Sequence, residues 1–362
     1  MRVITCTTDH IEALLDLAWE VNGQDPLWIP PLRPQLKAAL LGQDWLGTYA
    51  KEEVFAVLEH DRIVARAAAI INPRLRDAEG RPLGQVGFFE AHHHPQAVGL
   101  LFQAVEAWLR AQGTKSVMGP MNGGAQALHR LMISGFDETP FLFEPRNPAY
   151  YPTLFENAGY RPIHDWASYD FTEVELEELE RRVTQYLKTH PHSYRVNYPD
   201  PKDVQGVLGR IAPLLDQTWA HHIGYGHLDP EEVVERNAGL LSILTTGDLR
   251  IVVDAQGHDV GFSLGYPDYS AEVRGLNGNP TKWGTWLGQS VAPRWVHHTI
   301  AVVPRVQDGR AAFLLFADRI PALRQRGFSR QIGVLANPKW RLYEGFVPSR
   351  RYALYGKSLV GQ

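Results

Sequence analysis

Apolar and polar positions alternate along this chain in an order that occurs twice. The first pass opens with an apolar segment over 3–5 and a helical periodicity over 9–21. Asp25-Pro26 and Ile29-Pro30-Pro31 break that periodicity, and a second helical piece covers 32–41. Runs over 54–59 and 63–71 flank His60-Asp61-Arg62 and predict a hairpin. A strand over 85–90 follows. A helix over 98–111 then sets Val98, Leu101, Val105 and Trp108 on one face, with Gly113 closing it and a short strand over 116–118 behind.

The second pass keeps the order. A strand over 193–197, helices over 204–221 and 231–244, and a hairpin of 249–254 with 259–266 lead to an apolar strand over 296–303. That strand ends at Pro304, turns through Gln307, Gly309 and Arg310, and opens a helix; another strand over 331–335 precedes Asn337 and Tyr343-Glu344-Gly345-Phe346. Both long helices close in Leu-Arg-x-x-Gly, at Leu109-Arg110…Gly113 and Leu323-Arg324…Gly327, and both passes reach a glycine-aromatic pair, Gly159-Tyr160 and Gly345-Phe346. So long a period implies a duplicated domain rather than a solenoid. The division it suggests is 1–170, an acidic linking helix within 171–190, and 191–362.

A helix that starts directly after a strand presents backbone N–H groups without intrahelical partners at the positive end of its dipole, which suits a pyrophosphate. With Pro304, Gln307, Ala312, Asn337 and Tyr343-Glu344-Gly345-Phe346 in sequence, this unit resembles the acyl-CoA-binding half of the GNAT acyltransferase superfamily. The superfamily pattern places a glycine where Arg310 stands, and Gly309 falls one place early. Arg310 either adds charge for a phosphate or blocks its approach. Matching the two Leu-Arg-x-x-Gly ends sets His93, Gln96 and Val98 opposite Gln307, Arg310 and Ala312, so the first copy lacks the phosphate pattern. Between its matched glycines it carries an insert in which Gly119-Pro120-Met121-Asn122, Gly135-Phe136-Asp137 and Asn147-Pro148-Ala149-Tyr150-Tyr151 resemble bacterial tandem GNAT-like proteins. The resemblance implies an α/β fold with a mixed sheet: two tandem GNAT-like domains packed as a pseudo-dimer, with the acyl-CoA site in the second.

Composition narrows the partners. Hydrophobic content of 44% with 21% charged residues fits a soluble globular protein, and no stretch reaches membrane-spanning length. The start lacks an apolar signal core, so a cytoplasmic location is expected. Cys6 alone excludes an intrachain disulfide. A net charge of −4 without a basic block argues against nucleic acid. A monomer or a homodimer is compatible with all of this.

The resemblance also assigns roles. Acetyl-CoA is the expected co-substrate, held by Val302, Val303, Gln307, Asp308, Gly309, Arg310, Ala311, Ala312 and Asn337. An amine, free or on a peptide, is the acceptor. Tyr343 is the candidate acid for the leaving thiolate, against a tyrosine packed under the terminal strand. His297 and His298 alternate across their strand, so at most one faces the cleft, and His298 is taken as the candidate. Asp268, Tyr269, Trp283 and Trp286 begin or lie within the Gly/Asn/Trp-rich segment before that strand, and either wall a substrate or cover the junction between copies. Glu90 occupies a position where a carboxylate base fits, but without a phosphate pattern beside it a solvated strand end is expected. His92-His93-His94 cannot aim together at one ion, so no metal is expected. Two other functions keep the fold: peptidyl transfer from aminoacyl-tRNA, which calls for a basic surface, and binding without catalysis, which Arg310 favours.

Overall fold

The structure, a computed structural model, describes residues 1–287, 293–306 and 308–360, apart from the side chains of 230 and 238. The first half contains β1 (Arg2–Thr5), α1 (Ile11–Asn22), α2 (Arg33–Leu40), β2 (Lys51–Glu59), β3 (Arg62–Arg76), β4 (Pro82–Ala91), α3 (Pro95–Ala111), β5 (Ser116–Gly119), β6 (Leu131–Ser134), α4 (Tyr151–Asn157) and β7 (Arg161–Phe171). After α5 (Glu173–Thr189) come β8 (Arg195–Asn197), α6 (Val204–Trp219), α7 (Pro230–Leu241), β9 (Leu249–Val253), β10 (Asp259–Pro267), α8 (Ser270–Gly275), β11 (Arg294–Val302), α9 (Arg310–Gln325), β12 (Arg330–Ala336) and β13 (Arg350–Ser358). The repeat read from the sequence is present, with β3 extending well past the strand expected there and α7 ending earlier.

One mixed sheet runs β1-β2-β3-β4-β5-β13-β7-β12-β11-β10-β9-β8, with β6 pairing on β13. The two halves trade their last strands. β13 pairs antiparallel with β5 of the first half, and β7 pairs antiparallel with β12 of the second. β7 and β13 also pair with each other, from Arg350↔Ser168 to Gly356↔Arg161. The halves therefore share a continuous hydrogen-bonded sheet, and neither can complete its own edge alone.

Parallel pairing fails at the same place in both halves. β4 and β5 pair only at Gly84↔Val117 and Gln85↔Met118, and β11 and β12 only from Arg294↔Arg330 to His297↔Gly333. A bulge accompanies each parting. In β4 the register against β3 shifts at Phe88, which sits at φ 47°. In β11, Thr299 pairs with Leu264 and His297 with Gly265, which leaves His298 as the extra residue. A bulged strand bends and twists harder, so each parallel pair opens into a wedge.

The insert after β5 braces the junction. Arg294 donates from Nε to Asp268 Oδ2 at 2.9 Å and from Nη1 to Asp170 Oδ2 at 3.0 Å and the Thr139 carbonyl at 3.1 Å. Asp268 Oδ1 accepts from the Leu142 and Ser270 amides at 3.0 and 3.1 Å. Arg350 pairs with Glu144 at 3.0 Å, with both side chains fully buried, and Tyr352 Oη donates to the same carboxylate. Burial still pushes the Glu144 carboxyl up to about 7, with Arg350 as the main opposing influence.

Candidate functional site

Both wedges open into a cavity of about 1960 Å³ that crosses the face of the central strands. Among the described residues seven non-glycines have positive φ; His60, Asp61 and Asn277 are turn residues, and the other four, Phe88, Arg130, Phe143 and Leu335, all line this cavity. Such bulky residues cost roughly 1–3 kcal/mol each in that region, and strain of this kind collects at functional sites.

On the second-half side the wall includes His297, His298, Thr299, Ile300, Val302, Gly309, Ala312, Asn337 and Tyr343. His298 Nδ1 lies 2.8 Å from Thr299 Oγ1, and its ring packs near Phe143 and Tyr266. His297 Nε2 lies 2.8 Å from Gln331 Oε1. Burial lowers both imidazoles, His298 to about 4 and His297 to about 3, so both rings are neutral at pH 7. The bulge explains why strand alternation misled: an extra residue lets both histidines reach the cavity.

Tyr343 packs against Tyr169, Phe171, Phe316 and Trp340, under β7 rather than under β13. Its hydroxyl crosses Gly333, where any Cβ would come within 2.4 Å of Oη. Only a glycine in β12 allows that approach. Burial raises its pKa strongly, which keeps the phenol protonated and able to donate.

The amino end of α9 begins at Gly309, in the left-handed region at φ 89°. Asp308 Oδ1 accepts the Arg310 amide at 2.9 Å, so a carboxylate occupies the first free N–H. Arg310 folds back: Nε donates to Asp308 Oδ2 at 2.7 Å and Nη1 to the Pro191 carbonyl at 3.0 Å. Arg310 therefore neither reaches into the cavity nor closes it. Tyr186 of α5 donates to the Asp308 carbonyl at 2.6 Å and stands against Gly309. Gln307 lies outside the described residues.

The other expected residues divide. Trp283 lines the cavity and donates to Ser242 Oγ at 3.2 Å. Asn337 lines it too, while its Oδ1 accepts the Lys339 amide at 2.9 Å. Val303, Ala311, Asp308 and Arg310 are not among the lining residues, nor are Asp268, Tyr269 and Trp286. Asp268 is committed to the junction, and Tyr269 and Trp286 pack on each other beside Trp283. Of the two roles considered for that segment, Asp268 takes the junction.

The first half differs most from expectation. Glu90 is not a solvated strand end. It accepts from Asn22 Nδ2 at 2.9 Å and from Tyr151 Oη on one oxygen, and Arg66 Nη2 stands 3.8 Å from the other. Burial raises its pKa, against the pull of Arg66. The three neighbouring histidines diverge: His92 turns to Glu20, His93 stacks on Tyr150, and His94 caps α3. Between the wedges, Arg130 lies over Trp166 at 3.9 Å, with His129 and His164 against the same indole. Sequence reading missed Arg66, Asn22 and Arg130, which stand far apart in the chain; Tyr151 lay inside a motif already singled out.

This strand order, with two parted parallel pairs and exchanged last strands, is a tandem GCN5-related N-acetyltransferase fold. A tandem GNAT protein from the clavulanic acid biosynthesis pathway aligns over 100% of this chain and 99% of its own, at TM-score 0.52 and 12% identity. A probable N-acyltransferase from Enterococcus faecalis aligns over 99% of this chain and 72% of its own, at TM-score 0.55 and 11% identity. Two curated proteins are similar in sequence. Protein YghO of Escherichia coli is 25% identical over 290 residues, 77% of this chain and 72% of that protein. The bacterial ceramide synthase of Caulobacter vibrioides is 25% identical over 289 residues, 78% of this chain and 74% of that protein. No protein-family profile matches the chain.

Proposed function

We propose that the chain is an acyl-CoA-dependent N-acyltransferase acting on an amine. The observation that carries this reading is the parting of β11 from β12 at the His298 bulge, which opens unpaired strand backbone onto the cavity beside the start of α9. In this reading a thioester lies in the wedge, with its carbonyl oxygen against strand N–H groups that are already oriented. The amine attacks the carbonyl carbon, the carbon–sulfur bond breaks, and Tyr343 gives its proton to the departing thiolate. His298, neutral at pH 7, takes a proton from the amine.

Cavity size bears on the acyl group. An acetyl group fills little of 1960 Å³, and Ile300, Val302, Leu315 and Val334 give the second-half wall an apolar character. The relative named as a ceramide synthase points the same way, toward a long hydrocarbon on the donor, the acceptor or both. Calorimetric titration with coenzyme A thioesters of increasing chain length tests this. One site per chain, with affinity rising with length, supports the reading; tightest binding to acetyl-CoA restores the shorter donor. No binding of any thioester to folded protein removes the donor assignment.

A second reading, binding without catalysis, draws on Asp308. Its carboxylate stands at the amino end of α9, where an incoming pyrophosphate would meet like charge. Release of free thiol from a bound thioester in the presence of an amine, expected in the first reading and absent in the second, decides between the two.

A further inference from the structure

The first-half wedge holds a charged pair whose hydrogen bonds are only partly satisfied. Arg66 of β3 is 2% exposed, and its Nε and Nη1 have no partner among the described residues. Its Nη2 faces Glu90 Oε2 at 3.8 Å, beyond hydrogen-bond length. Glu90 Oε1, by contrast, receives both Asn22 Nδ2 and Tyr151 Oη. Those two donors are themselves fixed: Asn22 also donates to the Ala18 carbonyl at 2.9 Å, and Tyr151 Oη accepts the Ala91 amide at 2.9 Å. The carboxylate is therefore held rigidly by one oxygen. Arg66 and Glu90 both line the cavity, as do Trp28, Phe88 and Phe89.

Buried donors without partners are rare in folded proteins, and each calls for a ligand, a water or a functional reason. The charges decide which ligand suits. An anion brought to Arg66 meets the Glu90 carboxylate, and a cation brought to Glu90 meets the guanidinium. A neutral group that both donates and accepts satisfies the two at once: it gives a hydrogen to Glu90 Oε2 and receives one from Arg66. A hydroxyl is the smallest such group.

We infer that Arg66 and Glu90 form a hydroxyl-binding subsite, and that the acceptor amine carries at least one hydroxyl near its polar end, its apolar part lying along Phe88, Phe89 and Trp28. The acceptor assignment rests on the acyl-transfer reading; the subsite does not. The pair thus orients the acceptor from the half opposite the thioester, and the exchanged strands β7 and β13 fix the two subsites relative to each other.

Two assays separate the subsite from the reaction. The first is equilibrium binding, by calorimetry, of vicinal decanediol and of decylamine to the full chain without any thioester. The diol is expected to bind about tenfold tighter or more, since a site built to hydrogen-bond a hydroxyl discriminates against ligands lacking one. Glu90→Gln and Arg66→Met, with folding checked by circular dichroism, are expected to abolish the preference. Equal binding of the two probes by the wild type overturns the subsite without reference to any variant. The second assay compares acylation of a long-chain vicinal amino alcohol with that of the matching alkylamine. A lower KM for the amino alcohol, lost in Glu90→Gln, supports the acceptor assignment; equal KM values overturn it. Diol preference without acylation of either amine retains the subsite and rejects acyl transfer instead.

Discussion

The two wedges have the same strand order and opposite contents. On the second-half side, the bulge in β11 presents two neutral histidines against aromatic and apolar walls. On the first-half side, the bulge in β4 presents a phenylalanine, and the strand end beyond it carries a buried carboxylate facing an arginine. The two halves share the backbone device, a parallel pair prised open by one extra residue, and differ in the side chains around it. In the reading proposed above, one wedge takes a flexible thioester that needs strand amides and an apolar sleeve. The other is suited to a small polar group. The fold supplies the opening, and the residues around each bulge decide what enters it.

That comparison depends on the halves holding one relative position, so the largest effect is expected where they are braced. Arg294→Met leaves the buried Asp268 carboxylate with no cation, only the Leu142 and Ser270 amides, while Asp170 keeps the half-exposed Arg330. The expected cost is about 3–5 kcal/mol, because unpaired buried charge is the expensive outcome. Urea unfolding followed by tryptophan fluorescence measures it. A change under about 1 kcal/mol, as at a surface pair, shows that the junction does not depend on this brace.

Tyr343→Phe tests whether the second wedge holds the transfer step. The ring and its packing under β7 remain, while the donor over Gly333 disappears. With a competent thioester and amine, kcat is expected to fall about a hundredfold with little change in KM, the signature of a lost proton donor. An unchanged kcat returns Tyr343 to the role of a packed tyrosine.

Acid should separate the two wedges by sign. The folded pKa values of His298 and His297, about 4 and about 3, lie below the ordinary value of 6.5. Their contribution to stability is therefore present above pH 6.5 and lost as pH falls toward 4 and 3. Because both rings line a cavity that water can enter, each is worth about 1–3 kcal/mol. Glu90 runs the other way. Its folded pKa is raised, so its contribution is present below 4.5 and lost as pH rises through the folded value. Denaturation midpoints from pH 4 to 8 are expected to show an acid-side loss that His298→Phe reduces and Glu90→Gln does not. Equal acid sensitivity in the wild type and the histidine variant contradicts the buried, neutral assignment.

Much of the fold was legible in the sequence because its signals are local. Helical periodicity over 98–111, the hairpins and the closing glycines each depend on neighbours within a turn or two. The strand exchange was not legible. β7 and β13 carry ordinary strand patterns, and nothing local states that each completes the other half's sheet. The bulges escaped as well: alternation assigned His297 and His298 to opposite faces, and one unpaired residue undid that reasoning. Glu90 reads as a place for a base but, without a phosphate pattern beside it, as a solvated strand end; the residues that enclose it, Arg66, Asn22 and Tyr151, come from β3, α1 and α4 and leave no local signal.

The smallest effect concerns the seat of the cofactor's phosphates. If a pyrophosphate binds the amino end of α9, Asp308 is its competitor for the Arg310 amide, and the Asp308–Arg310 pair holds a guanidinium away from it. Asp308→Asn removes the like charge and loosens that tether without emptying the position. Helix-end charge effects run about 0.3–1 kcal/mol, so coenzyme A should bind about two- to fivefold more tightly in this variant. The gain should shrink as salt is raised, because the position is partly exposed. Weaker binding would mean that Asp308 orders the turn at Gly309 and that a preformed turn matters more than the charge within it. No change, in a variant that still binds coenzyme A, would place the phosphates elsewhere. The first wedge would then merit the same titration, with His94 and Gln96 at the start of α3 in the places of Asp308 and Arg310.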